Sequence, residues 1–576
     1  MYQRYSGDLG RLEPEEGRTV VLGGVTPPVL AHLLARLITD RPQTIFVALP
    51  TQAMAEDLAG DVEFFWPEGR DRIHLFPAFE AKPFLAQAAA PDTVMERQWV
   101  LAKLAEDDGP RLVAAPAPAL LRLVPGPAET LAARRLIQTG AETDLEELKT
   151  FLVRHGYTPV GQVESPGDFA VRGYIVDIFP AGRNLPVRVE FFGDLVESMR
   201  TFQVEDQRSM ESLSRLLITP AREFAYDAGT GAVAAGALEE LARTAGWHSL
   251  LWSPLAEAFR AGTPVSGLDS WAPLFTDLKP LRSGLGRARV LIHEPEALMK
   301  SAEAAWLGLA NHHERLRLEE RPHLDIRRGW LPLAETFLTR ASGWRTRALD
   351  LPESRGTPCF HLPVEANVNL KAAPTAGRTV SGQAGFLAPL AARLRSLLGR
   401  GFTTHLVARG AEQARRLAEM LADYDLADGR GRAAAGSGRA GSGSAGRLSL
   451  EVGQLSGGFA LADEQVAYIV EDEIFGVRQR PRRRPAAAEG LKFSSLKSLT
   501  PGDFVVHKVH GIGQYQGLVT LQLSYGQKGE FLHLVYKGGD KLYVPVELFK
   551  SVGKYVGAET RPPLLDRLGG LTWGRL

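Results

Sequence analysis

Short apolar runs alternate with amphipathic stretches along residues 19–115, and this alternation restricts the chain more than any other feature. Residues 19–22 have the character of a strand, and residues 28–38 that of a helix opening on proline. Residues 44–49 read as a second strand with a helix following from about residue 52, and residues 111–115 as a third strand. Parallel strands need a crossover that packs a helix on the sheet, so this order predicts βαβ units.

When such a sheet binds a nucleotide, the loop after the first strand supplies glycines whose N–H groups reach the phosphates. It also supplies a lysine for their charge and a Ser or Thr for magnesium. The corresponding stretch here is Gly23-Gly24-Val25-Thr26-Pro27-Pro28. Gly23, Gly24 and Thr26 keep the outline of a degenerate nucleotide loop, and the lysine is missing. The only Gly-Lys pair, Gly553-Lys554, is followed by Tyr555.

Glu471-Asp472-Glu473 follows a strand and imitates magnesium-binding carboxylates, but without a phosphate loop a solvated strand end is the better reading. His312 and His313 point apart on a helix, and beside Glu314 no further ligand stands at useful spacing, so no metal site is expected. One cysteine, Cys359, excludes a disulfide framework and thiolate zinc sites and fits a reducing cytosol. With no GxSxG or HExxH motif, the chain is expected to have no catalytic residues, no cofactor and no chemistry of its own.

At roughly 150 residues per domain, 576 residues predict about four domains. A hydrophobic share of 44% with 23% charged residues is that of a folded protein. The 67 basic residues balance 67 acidic ones, which removes any global field for nucleic acid and leaves only local patches such as residues 478–484. Residues 1–18 are polar, and the best apolar run, residues 20–38, is broken by Pro27, Pro28, His32 and Arg36. Neither a signal peptide nor a membrane span is expected, and the expected location is cytoplasmic.

The expected fold is a multidomain α/β chain. Residues 1–133 form a helicase-type α/β domain with a degenerate loop, and residues 134–220 an inserted α+β domain. Residues 221–350 return to the first domain, mostly helical with a strand near 290–292, and residues 351–477 make a further α/β domain. Within that domain residues 429–447 are only Gly, Ala, Ser and Arg, which reads as a flexible insertion. A Pro- and Arg-rich linker covers 478–495. Eight of the 14 lysines follow residue 490, marking a separate module at 496–560. Its strands, at 504–507, 515–523, 530–536 and 541–546, predict a small barrel of the SH3 or Tudor kind. Residues 561–576 read as the start of another linker.

Two stretches point to partners. In residues 187–192 the period of two puts Val187, Val189 and Phe191 on one face and Arg188, Glu190 and Phe192 on the other. A phenylalanine beside an arginine on the polar face suits a protein-binding hot spot, and equally a ring packed under a loop. Gly193-Asp194 is a hairpin signal, and Arg172 can join that face. In the last module, residues 515–523 form a long strand that must be covered or paired. Its backbone suits the addition of a partner's strand.

Arg172-Gly173, Asp177-Ile178-Phe179-Pro180, Val187-Arg188-Val189-Glu190-Phe191-Phe192-Gly193-Asp194 and Arg200-Thr201-Phe202 resemble the UvrA-interacting domain. That domain is shared by the excision-repair protein UvrB and the transcription-repair coupling factor family. The resemblance implies that Arg172, Arg188 and Phe192 contact UvrA.

Gly502-Asp503, Val505-Val506-His507, His510-Gly511-Ile512-Gly513, Lys541-Leu542-Tyr543-Val544-Pro545 and Leu568-Gly569-Gly570 with Trp573 are similar to the CarD-like RNA polymerase-interacting domain. That similarity implies contact with the polymerase β subunit through Val519, Thr520, Leu521, Gln522 and Leu523. Both modules in this order resemble the coupling factor family and imply a UvrB-like first part.

UvrB also has an intact P-loop and a tyrosine-rich hairpin, and residues 75–84 here have neither the tyrosines nor the length. The resemblance implies a transcription-coupled repair adaptor. Its ATP- and Mg2+-dependent motor on double-stranded DNA lies in a translocase module absent from this chain, which is read as an N-terminal fragment. The alternatives are a UvrB-like nucleotide-dependent damage enzyme and a CarD-like transcription regulator.

Overall fold

The computed structural model describes residues 3–4, 19–79, 82–84, 90–106, 109–337, 343–349, 357–367, 370, 387–426, 446–476, 502–507, 511–522, 528–537, 539–545 and 552–554. The chain divides into two compact units, Met1–Pro481 and Arg482–Leu576.

The first unit is built on an eight-stranded sheet. Its order is Gln3–Arg4, Cys359–His361, Thr19–Gly23, Gly343–Thr346, Arg289–His293, Ile45–Leu49, Leu112–Pro116 and Ile73–Leu75. Every neighbouring pair is parallel. Ile45–Leu49 and Leu112–Pro116 are buried at every position, as continuous apolar strands covered on both faces must be. The helix Pro27–Asp40 opens on two prolines, and Gln52–Phe65 is capped by Thr51, which accepts from the Met54 N–H at 3.3 Å.

Strands from residues 289–293 and 343–346 complete the sheet begun by residues 19–116, so the piece between them is an insertion. The strand Cys359–His361 also belongs here, beside Thr19–Gly23, and not with the third region as a boundary at 350 has it. Its apolar Phe360 packs into the core shared with the first helix, which a three-residue strand needs for its stability.

The insertion enters and leaves through an antiparallel pair, Arg135–Gln138 with Arg215–Ile218. Between them lies a six-stranded sheet ordered Ser209–Ser212, Leu195–Phe202, Val187–Phe192, Ile175–Ile178, Asp168–Arg172 and Thr158–Pro159. Its inner face packs Val176, Ile178, Val187, Val189 and Phe191 on the helix Leu145–Arg154 through Leu148 and Leu152. Beyond the insertion, Glu223 is buried against Arg122, which donates to it at 3.1 Å and ties the exit segment to the first domain.

A five-stranded mixed sheet follows, ordered Val364–Glu365, Phe459–Leu461, Val466–Val470, Thr403–Ala408 and Arg447–Val452. It shares a core with the first sheet's helices through Leu455, Phe459, Leu461, Tyr468 and Val470. Asp61 accepts from the Ser456 N–H at 2.6 Å, and Glu464 takes His32 at 2.9 Å together with Arg36. Burial works to raise the Glu464 carboxyl, but its interactions with His32 and Arg36 outweigh it and hold it below the usual range. Residues 429–445 of the Gly/Ser/Arg stretch lie outside the described residues. Arg447 belongs to a strand, not to a loop, and Gly446 before it runs so close to the Leu398 backbone that a Cβ would meet it at 2.7 Å.

The described residues of the second unit form a five-stranded antiparallel sheet. Its order is Lys541–Pro545, Lys528–Val535, Gly511–Gln522, Phe504–His507 and Val552–Lys554. Val505, Tyr515, Leu532, Leu534, Tyr536 and Val544 form its core. The strand expected at 515–523 begins four residues earlier, because Gly511–Gln514 pair with Phe504–His507. Val552–Lys554 is a strand that the sequence reading did not include.

Candidate functional site

The loop after Thr19–Gly23 occupies the place where a parallel sheet would hold phosphate, and here the chain's own backbone fills it. Gly24 has φ 76°, and a Cβ on it would lie 2.5 Å from the Leu362 carbonyl oxygen. The Val25 N–H donates to the Arg347 carbonyl at 2.8 Å, and the Leu362 N–H to the Gly23 carbonyl at 3.1 Å. Thr26 is the N-cap without a side-chain cap, and Pro27 and Pro28 take the first two helical positions. A helix N-terminus binds anions through its free N–H groups, and two of those groups are missing here.

The carboxylates Glu471, Asp472 and Glu473 are engaged in the fold. Glu471 accepts from the Arg409 N–H at 3.2 Å, and Asp472 pairs with the Arg409 guanidinium at 2.6 and 2.8 Å. Glu473 accepts from the N–H groups of Val470 and Gly458 and from Asn367, while burial raises its pKa. His312 is buried and hydrogen-bonded to the Pro83 carbonyl, and the half-buried His313 to that of Leu324. Among the described residues no cluster of His, Cys, Asp or Glu is placed to hold a metal ion.

The outer face of the six-stranded sheet carries the polar positions. Along Val187–Phe192 the side chains alternate between buried and accessible. Arg188 stands opposite Asp177 on one neighbouring strand and opposite Arg200 on the other. Its guanidinium meets the Asp177 carboxylate twice, at 2.7 and 2.9 Å, and lies 4.8 Å from the centre of the Phe202 ring. The Asp177 side chain is 2% exposed and that of Arg188 18%. The hydrogen bond to Asp177 raises the already high pKa of Arg188 against the pull of burial.

Phe192 is 75% exposed and ends its strand at the two-residue turn Gly193-Asp194, where Gly193 has φ 61°. Its cross-strand partner Leu195 is 39% exposed. Arg172, at the end of Asp168–Arg172, is exposed and donates to the Gly161 carbonyl at 3.0 Å. The fold therefore brings Arg172, Arg188 and Phe192 onto one sheet, with Phe192 projecting and Arg188 held. Two residues at this face are not in the expected contact set: Tyr174, 66% exposed beside Gly173, and Arg200, exposed opposite Arg188. A glycine between Arg172 and Tyr174 was the available signal for the first; strand pairing was needed for the second.

In the second unit, among the described residues, Val519–Gln522 pair with Lys528–Phe531 on one side only. The strand Phe504–His507 on the other side covers Gly511–Gln514 and stops. Among the described residues that edge carries no further strand, and Leu518 beside it is 50% exposed. Leu523 lies outside the described residues.

A family model described as the UvrB interaction domain matches residues 136–224, the insertion that carries this face. A second, described as the CarD-like/TRCF RID domain, matches residues 499–556. The transcription-repair-coupling factor of Myxococcus xanthus is 30% identical over 97% of this chain and 47% of its own length. Those of Bacillus subtilis (strain 168) and Escherichia coli (strain K12) are each 28% identical, over 96% and 98% of this chain and 47% of theirs. This chain is homologous, over nearly its whole length, to the transcription-repair-coupling factors.

It spans about half the length of the curated coupling factors it matches. The region between the two matched modules is covered by this homology as well. The coupling-factor likeness thus takes in the blocked loop at Gly24 together with both modules.

Proposed function

We propose that this chain is the adaptor portion of a transcription-coupled repair machine, binding stalled RNA polymerase through one module and recruiting UvrA through the other. The observation that carries this reading is the presence in one chain of a UvrB interaction domain and a CarD-like/TRCF RID domain. Among the described residues each leaves a surface open, Phe192 in the first and the edge at Val519–Gln522 in the second.

In this reading Arg172, Arg188 and Phe192 form the UvrA face. Val519, Thr520, Leu521, Gln522 and Leu523 add a strand to the polymerase β subunit, and the second unit closes into a small SH3- or Tudor-like barrel. The chain itself turns over no nucleotide and needs no cofactor, a reading supported by Pro27, Pro28 and the Leu362 carbonyl at the loop. ATP, Mg2+ and most of the double-stranded DNA contact belong to the half of the coupling factors that the match does not cover. The location is cytoplasmic, in keeping with described residues in which no helix is long and apolar enough to cross a membrane.

Capture of purified UvrA and of purified RNA polymerase by this chain tests the proposal. The same chain with Arg188 and Phe192 changed to Ala should lose UvrA and keep polymerase. Capture of neither would sink the adaptor reading. Saturable ATP binding would favour a UvrB-like nucleotide-dependent enzyme instead, and capture of polymerase alone a CarD-like regulator.

A further inference from the structure

The recruitment face has a second ring that its motif does not predict. Two tight turns adjoin at one end of the six-stranded sheet. Gly173-Tyr174 joins Asp168–Arg172 to Ile175–Ile178, and Gly193-Asp194 joins Val187–Phe192 to Leu195–Phe202. Both are opened by glycine, at φ 62° and 61°, the arrangement of a type II′ hairpin turn. The Phe191 N–H donates to the Tyr174 carbonyl at 2.8 Å, which sets Tyr174 directly beside the strand end that carries Phe192.

Nothing in the fold calls for a ring at position 174. The turn needs only its glycine, the Tyr174 phenol has no hydrogen-bond partner among the described residues, and the side chain is 66% exposed. Single exposed apolar side chains are ordinary on a protein surface. Here Tyr174, Phe192 and Leu195 stand together on two turns whose backbone is fixed by a ladder hydrogen bond. Tyrosine and phenylalanine bring large contact area with few side-chain torsions to freeze, and aromatic anchors dominate protein-binding hot spots.

We propose that Tyr174 and Phe192 form a two-ring anchor that enters one apolar pocket of UvrA, an inference that rests on the recruitment reading above. The occupant follows from continuity: Tyr174 adjoins the residue through which the UvrB interaction domain is read to recruit that partner. The pocket must be wide enough for two rings, and Leu195 extends the same apolar surface across the strand pair. Because both turns are preorganised, little ordering opposes binding.

UvrA affinity is measured for the full chain and for Tyr174→Ala, Tyr174→Phe, Phe192→Ala and the double alanine variant, each with its melting temperature. Tyr174→Ala is expected to weaken binding ~10-fold or more without lowering the melting temperature. Tyr174→Phe should bind within about threefold of the unchanged chain, and the double variant should lose less than the product of the two single losses, as residues sharing one pocket do. If Tyr174→Ala binds like the unchanged chain while Phe192→Ala is weakened, the two-ring anchor is overturned and the recruitment reading stands. An unchanged chain that does not bind UvrA overturns both.

Discussion

Arg188 and Asp177 face each other across adjacent strands, and their doubly hydrogen-bonded ion pair buries the carboxylate on the outer face of the six-stranded sheet. A residue chosen for its exposure in sequence therefore serves the fold first. Removing one partner of such a pair strands the other charge out of water. Arg188→Ala should destabilise the chain by about 2–3 kcal/mol in urea unfolding, and Arg188→Gln with Asp177→Asn should recover most of that. A single variant as stable as the parent would show that Asp177 finds water or another donor.

Phe192 stands in the opposite situation. Its ring supports no core, so Phe192→Ala should leave stability within about 0.5 kcal/mol of the parent while weakening UvrA binding by about 2 kcal/mol. Calorimetric titration alongside thermal unfolding separates the two effects, and a fall in stability of similar size would return the ring to a structural role.

Gly24 combines a left-handed backbone with a contact that no side chain fits. Gly24→Ala should cost about 2 kcal/mol or more in thermal unfolding. For the same reason, Thr26→Lys should not create nucleotide binding, since the added charge meets a helix end lacking two N–H groups and a loop lined by the Leu362 carbonyl. Fluorescent nucleotide titration of that variant checks this, and saturation at micromolar nucleotide would contradict it.

Glu96, half-buried on the helix Pro91–Ala105, has its pKa pushed up to about 8 by burial and by the neighbouring Asp92 and Glu56 charges. The folded chain thus holds a proton there that the unfolded chain releases near pH 4.5, the ordinary value for the group. Its contribution to stability is fully present below that lower value and is lost as pH rises through about 8. Glu96→Gln should therefore gain about 1–3 kcal/mol over the parent at pH 8, with the gain shrinking toward pH 5. Equal stability differences at both pH values would refute the shift.

Much of the architecture was legible because it rests on local patterns. Apolar strands with helical crossovers gave the parallel sheet, and the period of two in Val187–Phe192 separated its two faces before any pairing was known. Gly193-Asp194 marked its turn, since a left-handed position favours glycine. The three-residue strand Cys359–His361 was assigned to the wrong side of a boundary because its place depends on Thr19–Gly23, some 340 residues earlier, and on no local signal.

The chain's own letters determined its two recognition motifs, the missing lysine and the prolines after Thr26, because composition and spacing alone fix those chemical groups. Only tertiary structure decided that Arg188 is held by Asp177, that Tyr174 stands beside Phe192, and that the Leu362 backbone fills the old loop. Each of those relationships joins residues distant in sequence through strand pairing or close packing, and a linear pattern does not specify which distant backbone arrives next to which side chain.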